Sequence, residues 1–354
     1  MPSLEVIQAT VSKLSNGPPL VAAVAGGTTG IGAYIAEALA TAFADHGPRL
    51  RVYIVGRNAT RADAVITQCQ RISPGSEWRF VKATDLALIS EVDRCCDEIM
   101  RHETEKPFHG GPVRIDLLYM THCLPVFGKR TTTKEGLDAF ISTTYYSRVR
   151  FIMQLLPLLT ASPLPGHVIS VYAGTFEDGT SPGELPIGCP PDATYGVRNV
   201  RKHAIFMKTF LFEEIAARYA GRLSLVHIYP GLVDGPGMYS PEMPLWFRAL
   251  WRLLKPLAQL LYMTPPDVCG QVMLYLGTSR YPAKTQKPAE GIEVTRGTSG
   301  EPGGGSYTVG QRGDPQKGVS YAKVRKEDTG RQVWDHTMET LERIERANQT
   351  DGIR

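Results

Sequence analysis

The chain lacks a long uncharged hydrophobic run, because no stretch of about 20 apolar residues is free of charge. We therefore expect no membrane-spanning segment. Residues 1–14 also lack a basic segment followed by an apolar one, so we do not expect a secretory signal there. Their apolar positions Leu4, Ile7, Val11 and Leu14 have helical spacing, which predicts a short amphipathic helix packed on the domain.

Runs of lysine or arginine are missing, and the formal net charge of +4 is spread along the sequence. The charge pattern gives no reason to expect a nucleic-acid partner. The six cysteines include no C-x-x-C pair and no framework spacing. We therefore expect reduced thiols in a cytoplasmic protein, without disulfides or a metal site. A hydrophobic content of 42% is ordinary for a globular protein that buries a large core.

The most informative stretch is 21–32, V-A-A-V-A-G-G-T-T-G-I-G. Its apolar part predicts a strand covered on both faces, which opens into a glycine-rich turn and then a helix. Glycines let the backbone turn tightly and bring N–H groups against a pyrophosphate at the helix N-terminus. The stretch predicts a nucleotide-binding site, and its candidate cofactor-binding residues are Gly26, Thr28, Thr29, Gly30, Ile31 and Gly32.

The spacing G-x-x-x-G-x-G between a strand and a helix resembles the short-chain dehydrogenase/reductase (SDR) superfamily. A second resemblance, P-G-x-V at 230–233, follows a predicted strand at 223–229. The superfamily contacts the nicotinamide amide with this backbone, which implies cofactor-binding roles for Pro230, Gly231 and Val233. The resemblance implies an α/β fold with one Rossmann-type, doubly wound parallel sheet and a bound dinucleotide.

Arg57 bears on which dinucleotide is bound, because it follows the predicted strand at 50–55. In a dinucleotide fold an acidic residue there binds the ribose 2′-hydroxyl, whereas an arginine accommodates a 2′-phosphate. Arg57 thus favours NADP(H) over NAD(H); the alternative is a solvated arginine in a helix cap. Asp85 and Leu86, after a predicted strand at 78–81, match the superfamily position that binds the adenine ring.

The carboxyl end of the predicted strand at 168–171 and the segment after it are expected to carry catalysis. The resemblance implies that Ser170 hydrogen-bonds the substrate carbonyl oxygen, or that Val171 takes its place if Gly174 anchors the alignment. Most SDR members carry N-A-G after the fourth strand, where this chain has T-H-C at 121–123. We expect the histidine of this triplet to be packed or hydrogen-bonded, with a nucleophilic role as the alternative.

In SDR reductases a tyrosine donates the proton, and a lysine four residues later lowers its pKa and holds the ribose. Here Tyr195 is followed at that spacing by Asn199, and Lys202 lies one turn further on. Our first alignment assigns the proton transfer to Tyr195 and the cation to Lys202. Aligning the helix by its apolar positions instead puts Val197 in the tyrosine's place and Arg201 in the lysine's place.

Residues 245–263, L-W-F-R-A-L-W-R-L-L-K-P-L-A-Q-L-L-Y-M, carry a narrow polar stripe on an otherwise apolar helix. We expect a lid over a large apolar substrate. Peripheral membrane contact through 245–263 and burial against the core or a partner subunit are the alternatives. The helix predicted at 137–159 resembles the superfamily helix that forms a common dimer face, which implies a homodimer.

The predicted organisation is an N-terminal helical extension at 1–18, a dinucleotide-binding core at 19–236, and a substrate lid and C-terminal cap at 237–354 that complete the same domain. The cap is expected to contain a short edge strand at 306–309 and a helix at 333–347.

Three functions follow from this sequence. The first is an NADP(H)-dependent oxidoreductase that interconverts a carbonyl and an alcohol on a bulky apolar small molecule. The second is a non-redox isomerase or cyclase, and the third is a cofactor-binding protein without catalysis. The stretches 145–148, 195–209 and 227–233 resemble SDR proteins of filamentous fungi that are encoded with natural-product pathways, which implies secondary metabolism.

Overall fold

The computed structural model describes residues 2–124, 130–173, 180–181, 184–235, 239, 243–287, 291–314 and 325–351. In this part of the chain the strands are β1 (Leu20–Ala25), β2 (Leu50–Gly56), β3 (Glu77–Lys82), β4 (Leu117–Met120), β5 (Gly166–Val171), β6 (Leu223–Ile228), β7 (Leu232–Val233), β8 (Met263–Thr264) and β9 (Ser306–Val309). The helices are α1 (Leu4–Val11), α2 (Gly30–Ala42), α3 (Ala59–Ile72), α4 (Ile89–Glu105), α5 (Ala139–Ile141), α6 (Ser147–Gln154), α7 (Leu156–Thr160), α8 (Val197–Arg218), α9 (Leu245–Leu261), α10 (Pro266–Tyr275) and α11 (Thr329–Asp351).

Seven parallel strands form the central sheet in the order β3-β2-β1-β4-β5-β6-β9. Strand β1 is buried because helices cover both faces of the sheet: Val21, Ala23 and Ala25 join one apolar core, and Ala22 and Val24 join the other. This alternation follows from the two-residue period of a strand. The chain order reverses between β1 and β4, so the crevice at their carboxyl ends is where such a sheet binds ligands. The predicted Rossmann-type sheet is confirmed.

The chain after residue 237 contributes to the same unit. Strand β9 pairs with β6 at the sheet edge, as predicted for 306–309. Helix α10 packs so closely on α2 that a Cβ atom on Gly270 would lie 2.5 Å from the Tyr34 carbonyl oxygen. The predicted boundary between residues 236 and 237 lies outside the described residues and stays a prediction. Among the described helices, none has the length and apolar content needed to cross a membrane.

The helix predicted over 137–159 is wrong as a continuous element. It consists of α5, a π-helical turn at Ser142–Tyr146, α6 and α7. The break between α6 and α7 falls at Leu155, two residues before Pro157, which has no N–H to continue the helical hydrogen bonds.

Helix α11 covers this region. Tyr145 shares a hydrogen bond with Thr337 (2.7 Å), and Tyr146 shares one with His336 (2.8 Å). Val333, Leu341 and Ile344 of α11 are buried in the same core as α6 and α8. The surface that the sequence predicts as a dimer face is therefore occupied by the chain's own C-terminal helix.

Candidate active site

The turn at 26–32, here called the glycine cradle, depends on its backbone shape. Gly26 has φ +87°, and a Cβ atom there would lie 2.6 Å from Thr121 Oγ1. A Cβ atom on Gly32 would collide with the Gly26 carbonyl. Gly30 has φ +55° and open space where its Cβ would stand. Gly26 and Gly32 are needed to close the turn, whereas Gly30 faces the crevice.

The other residues of the glycine cradle, Thr28, Thr29 and Ile31, surround the N-terminus of α2. Thr28 packs beside Gly56, where a Cβ atom would lie 2.5 Å from Thr28 Cγ2. Thr29 holds the N-cap position, and its side chain makes no capping hydrogen bond within the described chain. Ile31 packs partly into the core beneath. The first N–H groups of α2 therefore have no side-chain cap, as expected at an anion-binding helix start.

The candidate adenosine residues follow the neighbouring strands. Arg57 is exposed directly after β2. Asn58 caps α3 by accepting a hydrogen bond from the Arg61 N–H (2.9 Å), which fixes the turn that holds Arg57. Asp85 accepts from the Ala87 N–H (2.9 Å), and Leu86 is buried. These residues lie at the carboxyl ends of β2 and β3, the same edge of the sheet as the glycine cradle.

The P-G-x-V segment at 230–233 lies next to the glycine cradle, although some 200 residues separate the two in the sequence. The Tyr34 hydroxyl on α2 donates to the Asp234 carbonyl (2.9 Å). A Cβ atom on Gly235 would lie only 3.7 Å from the Gly30 Cα. Thr264, in β8, donates to the Pro230 carbonyl (3.0 Å) and holds the segment from its other side. The two motifs therefore meet in one crevice.

Arg148, a residue that the sequence analysis did not single out, ties together the ends of β4 and β5. It is buried and donates to Ser170 Oγ (2.8 Å), the Val171 carbonyl (2.8 Å) and the His122 carbonyl (2.6 Å). Burial lowers the pKa of Arg148 to about 10. His122 shares a hydrogen bond with Ser147 Oγ (2.9 Å). Burial is the main reason that the pKa of His122 is lowered, and the positive charge of Arg148 lowers it further. His122 is thus a packed, hydrogen-bonded residue in the structure.

Tyr172, the residue after β5, is a second group that the sequence analysis missed. Its ring stacks on His227 with centroids 6.4 Å apart, and Lys208 Nζ lies 5.0 Å from its centroid. The Arg201 guanidinium lies 5.9 Å from the same centroid. The Tyr172 hydroxyl is buried and has no hydrogen-bond partner in the described part of the chain. A hydroxyl residue directly after a predicted strand was the signal that could have identified it.

Comparison with known proteins agrees with this architecture, although no family model matches the chain. The chain is 58% identical over 355 residues to the short-chain dehydrogenase/reductase SAT2 of Stachybotrys chartarum, covering 99% of each protein. The chain belongs to the short-chain dehydrogenase/reductase family. An oxidoreductase of Emericella nidulans is 32% identical, over 95% of this chain and 97% of its own length.

A solved structure of the Pseudomonas aeruginosa protein RhlG in an NADP active-site complex has the same fold as this SDR protein. The TM-score is 0.52 at 18% identity, and the match covers 81% of this chain and 94% of that one.

The three predicted catalytic residues of this SDR protein make separate contacts. Ser170 accepts from Arg148. The Tyr195 hydroxyl donates to Asp138 Oδ2 (2.8 Å), and burial raises the Tyr195 pKa, with Asp138 adding to the effect. Lys202 Nζ forms an ion pair with Glu184 (2.7 Å). Within the described residues no hydrogen bond joins any two of the three, so the structure does not assemble them as one group.

The alternative alignment, with Val197 in the tyrosine's place and Arg201 in the lysine's place, agrees with the observed start of α8 in this SDR protein. Helix α8 begins at Val197, and Tyr195 lies before it in extended backbone. Arg201, one turn into α8, faces the ring of Tyr172. Burial raises the pKa of Tyr172, and Arg201 and Arg148 act against this rise. Arg201 of the alternative alignment therefore lies near Tyr172, whereas Tyr195 has a different cation, Arg130, 5.1 Å from its ring centroid.

Proposed function

We propose that this protein is an NADP(H)-dependent oxidoreductase that interconverts a carbonyl and an alcohol on a bulky apolar small molecule in secondary metabolism. The observation that carries the proposal is the meeting of the glycine cradle and the segment at 230–233 in one crevice. The oxidoreductase names of the full-length fungal relatives support the reaction class. The NADP complex of RhlG supports the choice of cofactor for a crevice of this fold.

The residues present fit the cofactor. The open N-terminus of α2 and the space beside Gly30 suit a pyrophosphate, and Arg57 suits a 2′-phosphate. Asp85 and Leu86 are assigned to the adenine end, and Pro230, Gly231 and Val233 to the nicotinamide amide. Bound NADPH supplies the hydride for reduction.

A proton donor must lie beside the substrate carbonyl, and two tyrosines are candidates. Tyr195 would first have to break its hydrogen bond with the Asp138 carboxylate, which disfavours its ionised form. Burial raises the pKa of both tyrosines, but the Tyr172 hydroxyl has no bond to a carboxylate in the described part of the chain, and the nearby Arg201 and Arg148 cations oppose the rise in its pKa. We therefore assign to Tyr172 the transfer of its hydroxyl proton to the carbonyl oxygen, with Arg201 stabilising the phenolate that remains.

In this assignment Ser170 keeps the role of the first alignment, whereas Lys202 does not. The Ser170 hydroxyl accepts from Arg148 and keeps its own proton, so it can orient an oxygen at the end of β5. Lys202 is paired with Glu184 and holds the segment that leads into α8.

The test compares Tyr172→Phe with Tyr195→Phe in single-turnover NADPH oxidation against a panel of bulky ketones. Loss of a general acid costs about 10²-fold or more in rate, so Tyr172→Phe is expected to lose that much and to keep its NADPH affinity. Tyr195→Phe is expected to stay within a few-fold of the parent. The reverse pattern would return the role to Tyr195, and a parent protein that does not bind NADPH would refute the function.

A non-redox isomerase or cyclase is the second candidate. Its support is the departure from Y-x-x-x-K together with the buried Arg148 and Lys208 and the buried hydroxyl of Tyr172, which suit proton movement without hydride transfer. Product formation with no loss of NADPH absorbance would establish this candidate, and stoichiometric NADPH loss would exclude it.

A further inference from the structure

Helix α9 has its apolar face turned towards solvent. Trp246, Leu250, Leu253, Leu257 and Leu260 follow one another at helical spacing and are 64%, 44%, 76%, 57% and 81% exposed. Single exposed leucines are common, but a continuous apolar face of this kind marks an interaction surface. We call these five residues the outer face of α9.

Part of the polar stripe of α9 is turned towards the protein, whereas Arg252 and Gln259 of the same stripe are exposed. Lys255 forms an ion pair with Asp234 (2.7 Å) and lies 5.4 Å from the ring centroid of Tyr239. Trp251, one turn earlier, is buried. The outer face therefore points away from the crevice, so the sequence expectation of an apolar lid over the substrate does not describe its orientation here. The predicted polar stripe contains exposed residues as well as the inward-paired Lys255, and its spacing did not indicate which side of the helix faces the core.

We propose that the outer face of α9 inserts into the surface of an anionic lipid bilayer. The chain from 244 to 266 contains no acidic residue, and among its cations Arg252 is exposed, whereas Lys255 is paired with Asp234. Trp246 and Tyr262 stand near the two ends, where amphipathic rings anchor a helix at the boundary between headgroups and acyl chains. Charge and aromatic placement therefore both match a lipid surface.

A second copy of the chain fits this surface less well. A two-fold interface would place each α9 against itself, so the exposed Arg252 of one copy would face the same positive segment of the other. An anionic bilayer has the opposite charge.

The position of α9 links the bilayer to the crevice. Helix α9 leads directly into β8, and β8 pairs with β7, the strand that contains Val233. Insertion of α9 would thus hold the P-G-x-V segment close to the membrane surface. This placement suits a substrate that partitions into lipid, an inference that rests on the proposed function.

The test is co-sedimentation of the full chain with vesicles of phosphatidylglycerol and phosphatidylcholine, and with phosphatidylcholine alone. Binding is expected to the anionic vesicles and to weaken at high salt. The variant Leu253→Ser/Leu257→Ser/Leu260→Ser is expected to bind on the order of tenfold more weakly or worse. A matched variant, Val6→Ser/Leu164→Ser/Leu185→Ser, removes three exposed apolar side chains outside α9 and is expected to bind like the parent.

NADPH affinity reports folding of both variants and is expected to stay unchanged. Absence of sedimentation with either vesicle, or equal loss in both variants, would overturn the proposal. A lipid-free dimer that only the α9 variant dissociates, measured by light scattering, would assign the face to a second copy instead. Failure of the ketone assay would leave vesicle binding unaffected, so the two proposals fail separately.

Discussion

The two sides of the crevice are built by different means. On the cradle side, formed by β1, β2 and the glycine cradle, the shape comes from backbone that allows no Cβ atom at Gly26 or Gly32. On the tyrosine side, formed by the ends of β5 and β6 and by α8, it comes from large side chains packed on one another. The cradle side should therefore tolerate side-chain changes that keep its turn, whereas the tyrosine side should depend on individual functional groups.

The largest expected effect comes from Gly32→Ala on the cradle side. The added methyl group meets the Gly26 carbonyl, and backbone cannot move aside as a flexible side chain can. We expect a loss of about 3 kcal/mol in the free energy of unfolding and no measurable NADPH binding. Gly30→Ala is the control, because its Cβ enters open space and only the positive φ costs about 1 kcal/mol. Equal urea midpoints for the two variants would contradict this account.

Arg148→Leu tests the tyrosine side. It removes the donor to Ser170 Oγ and to the Val171 and His122 carbonyls, which leaves buried acceptors without a partner. The expected cost is about 2 kcal/mol in the free energy of unfolding, measured by urea titration. Arg94→Leu, at an exposed arginine paired with Glu91, is expected to cost less than about 1 kcal/mol. If Arg148→Leu costs no more than Arg94→Leu, the hydrogen bonds of Arg148 between the ends of β4 and β5 are not needed for stability.

Arg57→Ala tests a single side chain of the cradle side, the one assigned to the 2′-phosphate of the cofactor. Loss of a charged contact to a 2′-phosphate is expected to weaken NADPH binding about tenfold and to leave NADH binding unchanged. Fluorescence titration with both cofactors measures this difference. Arg61→Ala, one turn further along α3, serves as the control and is expected to change neither value by more than about twofold. Parallel loss of both affinities in Arg57→Ala would point to a change in the turn itself.

The smallest effect concerns pH and His227, beneath Tyr172. Burial lowers its pKa, and Lys208 and Arg148 lower it further. The unfolded chain takes up a proton below about pH 6.5 and the folded chain does not, so stability falls as pH drops from 7 towards 5. The contribution is at most about 1.4 kcal/mol per pH unit.

His227→Gln keeps an acceptor at the position of Nε2 for the Ala173 N–H and is expected to flatten the fall in urea midpoint with decreasing pH. The exposed His46→Gln should leave the slope unchanged. An unaltered slope in His227→Gln would contradict the assignment.

The sequence predicted the cradle side well because glycine spacing reports backbone geometry directly. The strand at 306–309 was also predicted with its observed bounds. On the tyrosine side, prediction depended on counting residues across the proline- and glycine-rich loop before α8, and a shift of two residues exchanges Tyr195 for Val197. Tyr172 and Arg148 were missed because their roles come from contacts between distant segments. For α9, periodicity revealed the polar stripe but contained no information about which side faces inward.

Strand β9 is synthesised long after its partner β6, and this order affects how the chain folds during translation. Strand β9 pairs with β6, which ends at residue 228, and α11 packs on α8 only after residues 329–351 have left the ribosome. Until then the edge of β6 and the apolar surface of α6 and α8 remain uncovered. Parallel pairings between distant segments form slowly and expose such surfaces to aggregation. Nascent chains that stall before residue 306 are therefore expected to need chaperone protection, and slower translation of this last stretch should lower the soluble yield.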